Sequence, residues 1–223
     1  MVFYTKSYPN VPLIELIIFG FVNAIIIFIS IFIHELAHLL VAQRYELVIT
    51  EIELSFIGGS FDMEDKHKKP NDLLKVYVAG PLSNLLIGVI LFLVLRIPQI
   101  NFTNFIYMSL SLSGFANIIL AVFNFIPTFP LDGGRILKAS ILSDSDDLYQ
   151  TMKVVFIVGT IFSFGFILYG FYLIIISKFS DAFWLILIGI FLYLSAWYSY
   201  RYEISKYMQG LEEKFKKVEK TTV

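Results

Sequence analysis

Residues 11–42 read VPLIELIIFGFVNAIIIFISIFIHELAHLLVA. The run exceeds the roughly 20 apolar residues that a helix needs to cross a 30 Å hydrocarbon core, yet it carries His34, Glu35 and His38 near its end. A charged side chain deep in a span costs about 2.5–3.5 kcal/mol on insertion scales, so polar residues kept there are expected to have work to do. The stretch is too long for a cleaved signal peptide and has no basic leader. It is read as a membrane helix that stays in the mature protein.

The rest of the chain agrees with that reading. Of 223 residues, 57% are hydrophobic and 16% charged, and the mean hydropathy is +0.76, more than one soluble core can absorb. Four further apolar stretches, Leu73–Ile97, Phe105–Phe125, Val154–Ile176 and Ala182–Tyr198, are long enough or nearly so. The expected fold is an all-α polytopic membrane protein with about five transmembrane helices. Fourteen of the seventeen Lys and Arg residues fall on alternate connections, after the first and third spans and in the tail. The positive-inside rule then puts the N-terminus outside and the C-terminus in the cytoplasm, as in a prokaryotic cell membrane. A net charge of -1 without a basic stripe argues for a lipid bilayer and against nucleic acid as partner. The absence of cysteine excludes disulfides, thiolate ligands and Cys nucleophiles. Any metal must be held by His, Asp or Glu.

On a helix, His34 and His38 lie one above the other, so both imidazoles can reach one ion while Glu35 sits beside it. In this HExxH arrangement two neutral imidazoles hold zinc and the glutamate accepts a proton from the attacking water. The bland reading is a pair of polar residues snorkelling toward the interface; two histidines at helical spacing around a glutamate favour the metal.

A third protein ligand must come from elsewhere, because Arg44 stands where the extended HExxHxxGxxH form needs histidine. The acidic runs SDSDD (143–147) and FDMED (61–65) read as solvated. Asp132, in NFIPTFPLDGGRIL, follows Pro127 and Pro130, which end the third span and let the chain turn back. The first and third spans both run from outside to inside, so HELAH and Asp132 reach the same face. His38 lies about six residues, or roughly 9 Å, from the end of its span. Asp132 is read as a metal ligand or as a helix N-cap before GGRIL, and both are compatible.

Three motifs in order, HELAH (34–38), AGPLSN (79–84) and NFIPTFPLDGG (124–134), resemble the site-2 protease family of intramembrane zinc metalloproteases. The resemblance covers about residues 12–143. It implies one zinc per chain on His34, His38 and Asp132, Glu35 as general base, and hydrolysis of peptide bonds within the transmembrane helices of membrane-protein substrates. It also points to Asn124 as a residue that steadies the oxyanion or the substrate backbone. The connection between the first two spans is too short for the PDZ domain of some bacterial members, and no room for a CBS pair follows Tyr198. The expected organisation is a catalytic membrane core at 1–143, two further helices at 144–200 and a charged cytoplasmic tail at 201–223.

TEIELSFIGGSFDM (50–63) alternates Ile52, Leu54 and Phe56 with Glu51, Glu53 and Ser55, a strand pattern, and Gly58 and Gly59 allow a turn and close backbone approach. A small membrane-associated β-hairpin is expected there. Either it lends an open edge to an unwound substrate, making Gly58 and Gly59 substrate-binding residues, or it only covers the inner end of the bundle. Asn84 and Asn117, inside spans, are expected to hydrogen-bond between helices; Pro81 is expected to kink the second span; His67 sits on a charged loop. The alternative function is a metal transporter or channel using the same His/His/Asp cluster. Glu35 tells against it, since a permeation site needs no base. A catalytically dead relative would lack some of these positions, and a prenyl-protein protease would carry a further downstream Glu motif.

Overall fold

The computed structural model describes residues 12–47, 49–55, 58–63, 69–97, 104–144 and 147–221. In chain order they form α1 (Leu13–Arg44), β1 (Ile49–Ser55), β2 (Gly58–Met63), α2 (Pro70–Val94), α3 (Asn104–Asn124), α4 (Asp132–Leu142), α5 (Leu148–Ile175) and α6 (Phe179–Thr221). Five of these helices, α1, α2, α3, α5 and α6, are long and apolar enough to cross a membrane. Their outward faces are apolar: Phe28 is 71% exposed and Ile175 80% exposed. Such a surface suits lipid and not water, and the chain is a multi-pass membrane protein.

The chain divides into two compact units, Met1–Lys68 with Lys75–Asn124, and Lys69–Leu74 with Phe125–Val223. In the first, α1 buries Leu16, Phe19, Asn23, Ser30, His34, His38 and Ala42, a stripe at intervals of three, four and seven residues. This is the amphipathic pattern of a soluble helix turned inside out, because in lipid the polar groups are the ones that gain by leaving the surface. The facing stripe of α3 is small and polar: Ser109, Ser113, Gly114, Asn117 and Ala121. Asn23 Nδ2 donates to Ser109 Oγ at 3.2 Å, and Asn117 Nδ2 donates to Ser30 Oγ at 3.0 Å. At one end of the seam Phe19 meets Phe105 edge to face, ring centroids 5.6 Å apart. Helix α2 closes on α3 at Gly88, where a Cβ would lie 2.9 Å from the Gly114 carbonyl oxygen.

β1 and β2 pair antiparallel, with Ile52 opposite Phe61, Leu54 opposite Gly59 and Ser55 opposite Gly58, and an irregularity between Ile49 and Glu51. Gly58 and Gly59 thus open a strand, where the sequence pattern suggested a turn; Phe56 and Ile57, which link the strands, lie outside the described residues, as does His67.

In the second unit α5 and α6 run antiparallel. Small residues set their closeness: a Cβ at Gly189 would lie 2.8 Å from Ser163 O, and one at Gly170 3.2 Å from Ala182 O. α5 begins at Leu148, earlier than its apolar run, because Asp147 caps it: Asp147 Oδ1 accepts the Gln150 N–H at 3.0 Å. α6 continues past the expected end of its span, through the charged segment to Thr221. Lys138 on α4 reaches Glu203 on α6 at 2.8 Å. α1 and α5 both end beside a non-glycine residue in the left-handed region, Glu46 at φ 52° and Ser177 at φ 60°. Bonds of the Schellman kind, Leu47 N to Ala42 O at 3.1 Å and Lys178 N to Leu173 O at 2.9 Å, close the two ends.

Candidate metal centre

The polar stripe of α1 leads to His34 and His38, 5% and 3% exposed. Their rings meet edge to face with centroids 4.8 Å apart, and the two Nε2 atoms approach to 3.2 Å. Two nitrogens bound at 2.0–2.1 Å to a tetrahedral zinc stand about 3.3 Å apart, so the pair is spaced for one ion. Glu35, between them in sequence, is half-buried, with its Oε2 atom shielded from solvent.

Helix α2 positions both rings from one face. Val76, Gly80 and Asn84 follow at helical intervals of four, so they line up along the helix. The Val76 carbonyl lies 2.7 Å from His38 Nδ1, and Asn84 Nδ2 lies 3.1 Å from His34 Nδ1. Between them, a Cβ on Gly80 would run into His38 Nε2 and stand 2.6 Å from His38 Cε1 and 2.7 Å from His34 Nε2. Only glycine leaves the imidazoles their place. Pro81, inside α2, has no N–H for the Tyr77 carbonyl and interrupts the ladder in the turn beside Val76. The AGPLSN segment is therefore part of the metal centre and does more than pack. The sequence carries that signal in the four-residue spacing of Val76, Gly80 and Asn84, legible only once α2 is known to face α1.

The second unit holds Asp132, 5% exposed, in the first turn of α4. The N-cap is Leu131, so Asp132 stands one residue inside the helix and not at the N-cap that its position suggested. Arg135 Nη1 lies 3.7 Å from its Oδ1. The two glycines that follow allow the preceding loop to fold onto the helix. A Cβ at Gly133 would strike the Ile126 carbonyl, and one at Gly134 would lie 2.7 Å from Phe129 N. That loop, with a cis Phe129–Pro130 bond, seats fully buried Thr128 against α5, where a Cβ at Gly159 would meet Thr128 Oγ1 at 2.5 Å. The fourth span thus braces the turn that carries Asp132, which no motif conveyed. Asn124 is the last residue of α3 and half-buried.

The donor set fits zinc: buried imidazoles with converging Nε2 atoms, each anchored through its Nδ1, and a glycine that keeps their meeting point clear. Comparisons with known proteins agree. The sequence pattern of peptidase family M50 matches residues 22–106 and 96–165. A zinc metalloprotease of Methanocaldococcus jannaschii is 37% identical over 80% of this chain and 49% of its own length. Stage IV sporulation protein FB of Bacillus subtilis is 28% identical over 48% of this chain and 36% of its own. The chain spans about half the length, or less, of these curated relatives. Among solved structures, the site-2 protease from Methanocaldococcus jannaschii superposes with a TM-score of 0.57 at 31% identity, covering 82% of this chain and 86% of that one.

Proposed function

The chain belongs to peptidase family M50, and we propose that it is a zinc metalloendopeptidase that cleaves peptide bonds within or near the transmembrane helices of other membrane proteins. The observation that carries the proposal is the pair of buried histidine Nε2 atoms 3.2 Å apart on the HExxH helix. His34 and His38 hold the ion through Nε2, and Asp132 is the third ligand, one zinc per chain. Support for Asp132 is its burial and its LDGG setting in the first turn of α4. Zinc, when bound, supplies a Lewis acid that makes water nucleophilic near neutral pH and polarises the scissile carbonyl. Glu35 takes the proton of the attacking water on its carboxylate and hands it to the departing amide nitrogen. Asn124 donates its amide to the oxyanion or to the substrate backbone.

A helix presented for cleavage must first unwind, and its freed N–H and C=O groups then need partners. The two-stranded sheet supplies them. It lies at the membrane face, and the segment carrying Gly58 and Gly59 receives the substrate as an added strand. Ser60→Pro, which removes an N–H from β2, lowers cleavage of a helical substrate without changing zinc content. Residues 1–143 are the catalytic core, 144–200 the two bracing helices and 201–223 the tail, with the N-terminus outside and the C-terminus in the cytoplasm. A transporter built on the same cluster would have no use for Glu35, and the family is one of peptidases.

The test is cleavage of a single-span substrate by the purified chain, with and without a zinc chelator. Glu35→Gln keeps its zinc and loses roughly 100- to 10,000-fold in rate; Asp132→Ala loses zinc. Normal turnover by the first variant would remove Glu35 as base, and full zinc in the second would remove Asp132 as ligand.

A further inference from the structure

Asn84 touches His34 in a way that depends on which nitrogen of that ring carries the proton. The Val76 carbonyl can only accept, so His38 keeps its proton on Nδ1 and turns the Nε2 lone pair toward His34. Two proton arrangements satisfy the remaining contacts. In the first, His34 Nε2–H donates to His38 Nε2 across 3.2 Å, His34 Nδ1 is bare, and Asn84 Nδ2 donates to it at 3.1 Å. Asn84 is 1% exposed, and in this arrangement its Oδ1 has no hydrogen-bond partner among the described residues. In the second, both Nε2 atoms offer lone pairs to a metal ion, so the proton of His34 moves to Nδ1 and needs an acceptor. Turning the Asn84 amide over exchanges Nδ2 for Oδ1 in nearly the same volume. The orphaned oxygen and the new Nδ1–H then satisfy each other.

We infer that Asn84 is the positioning residue of the metal centre. Its Oδ1 accepts His34 Nδ1–H when zinc is bound, and its amide reverses when zinc leaves. The inference rests on the proposal that zinc sits on His34 and His38. Outer partners of this kind fix the tautomer and the ring orientation of a ligating histidine, and their loss costs 10- to 100-fold in metal affinity. A carboxylate at the same place only accepts, so it serves the loaded form and not the other.

The experiment measures the zinc dissociation constant of the full chain in detergent by competition with a chromogenic chelator. Asn84→Leu, close in size and without an acceptor, is expected to weaken zinc 10- to 100-fold, and Asn84→Asp to bind within about threefold of the parent or tighter. A residue that merely ties α2 to α1 would give the opposite order, because a buried charge harms packing more than leucine does. Unchanged affinity in Asn84→Leu, or equal weakening in both variants, overturns the inference. A parent chain that binds no zinc removes the functional proposal itself. Should the leucine variant not fold, nitrogen-15 NMR of the parent's histidines decides. On removal of zinc, His34 Nδ1 changes from the protonated to the bare type while His38 Nδ1 stays protonated. A His34 Nδ1 of the same type in both forms overturns the inference.

Discussion

Replacing Gly80 by alanine sets two opposed effects against each other. In a helix interior alanine is favoured over glycine by about 1 kcal/mol, so propensity alone makes Gly80→Ala stabilising. The geometry says otherwise. Ordinary contact begins at 3.4 Å, and the new methyl would stand 2.6 Å from His38 Cε1 and 2.7 Å from His34 Nε2. The His34 ring must retreat by about 0.7 Å and the His38 ring, whose Nε2 lies nearer still, by more than about 0.8 Å, several times the roughly 0.2 Å latitude of a metal–ligand bond. His38 cannot retreat without stretching its 2.7 Å contact to Val76 O. The expected loss in zinc affinity is at least the 10- to 100-fold of a lost outer partner, or about 1.4–2.7 kcal/mol. The assay is chelator competition, run beside thermal unfolding with and without zinc. Gly20→Ala and Gly165→Ala are the controls, since a Cβ at either position meets nothing within 4 Å; they are expected to keep parental zinc affinity and to gain slightly in stability. Parental zinc affinity in Gly80→Ala would refute the placement of α2 against the imidazoles.

Asp147→Ala removes the cap of α5 and is expected to cost about 1 kcal/mol in unfolding free energy, with turnover per folded molecule unchanged. A double-mutant cycle on Ser30→Ala and Asn117→Val should give a coupling near 0.6 kcal/mol and no more than about 1.7 kcal/mol; zero coupling would mean that the 3.0 Å contact does nothing for stability. Because the chain has no cysteine, single cysteines report topology without background. Lys68→Cys and Lys216→Cys should label from the cytoplasmic face and Ile100→Cys from the other, and labelling of 68 and 100 from the same face would overturn the five-span topology.

The five spans are legible in the sequence because lipid imposes a length and a composition on every helix that crosses it, whatever that helix packs against. HExxH is legible for a similar reason: the helical repeat alone brings His34 and His38 together. What is not legible depends on which helix faces which. Asn84 reads as any intramembrane amide until α2 lies beside α1, and Gly80 and Gly159 declare themselves only through the neighbours that a Cβ would strike. The ends of α1 and α5 fall within two residues of the expected Ala42 and Ile176, but the way they close escapes the sequence, because Glu46 and Ser177 adopt the left-handed conformation that usually announces itself as glycine. Asp147 looked solvated because a cap and a loop acid have the same composition.

The hydrogen-bonded seam between α1 and α3 also fixes an angle. In water a helix is held at one rotation about its axis because only one side is oily; in lipid every side of α1 is oily enough, and nothing of that kind would stop it from spinning. Asn23 on Ser109 and Ser30 on Asn117 act as index marks. With four residues from Ser30 to His34 and about 100° between successive residues, the azimuth set at the marks is the one with which both imidazoles arrive. One residue inserted between Ser30 and His34 would swing them by about 100° toward the lipid, leaving the marks engaged and every ligand still in the chain. Seven residues, nearly two whole turns, would restore the heading and displace the histidines about 10 Å along the axis.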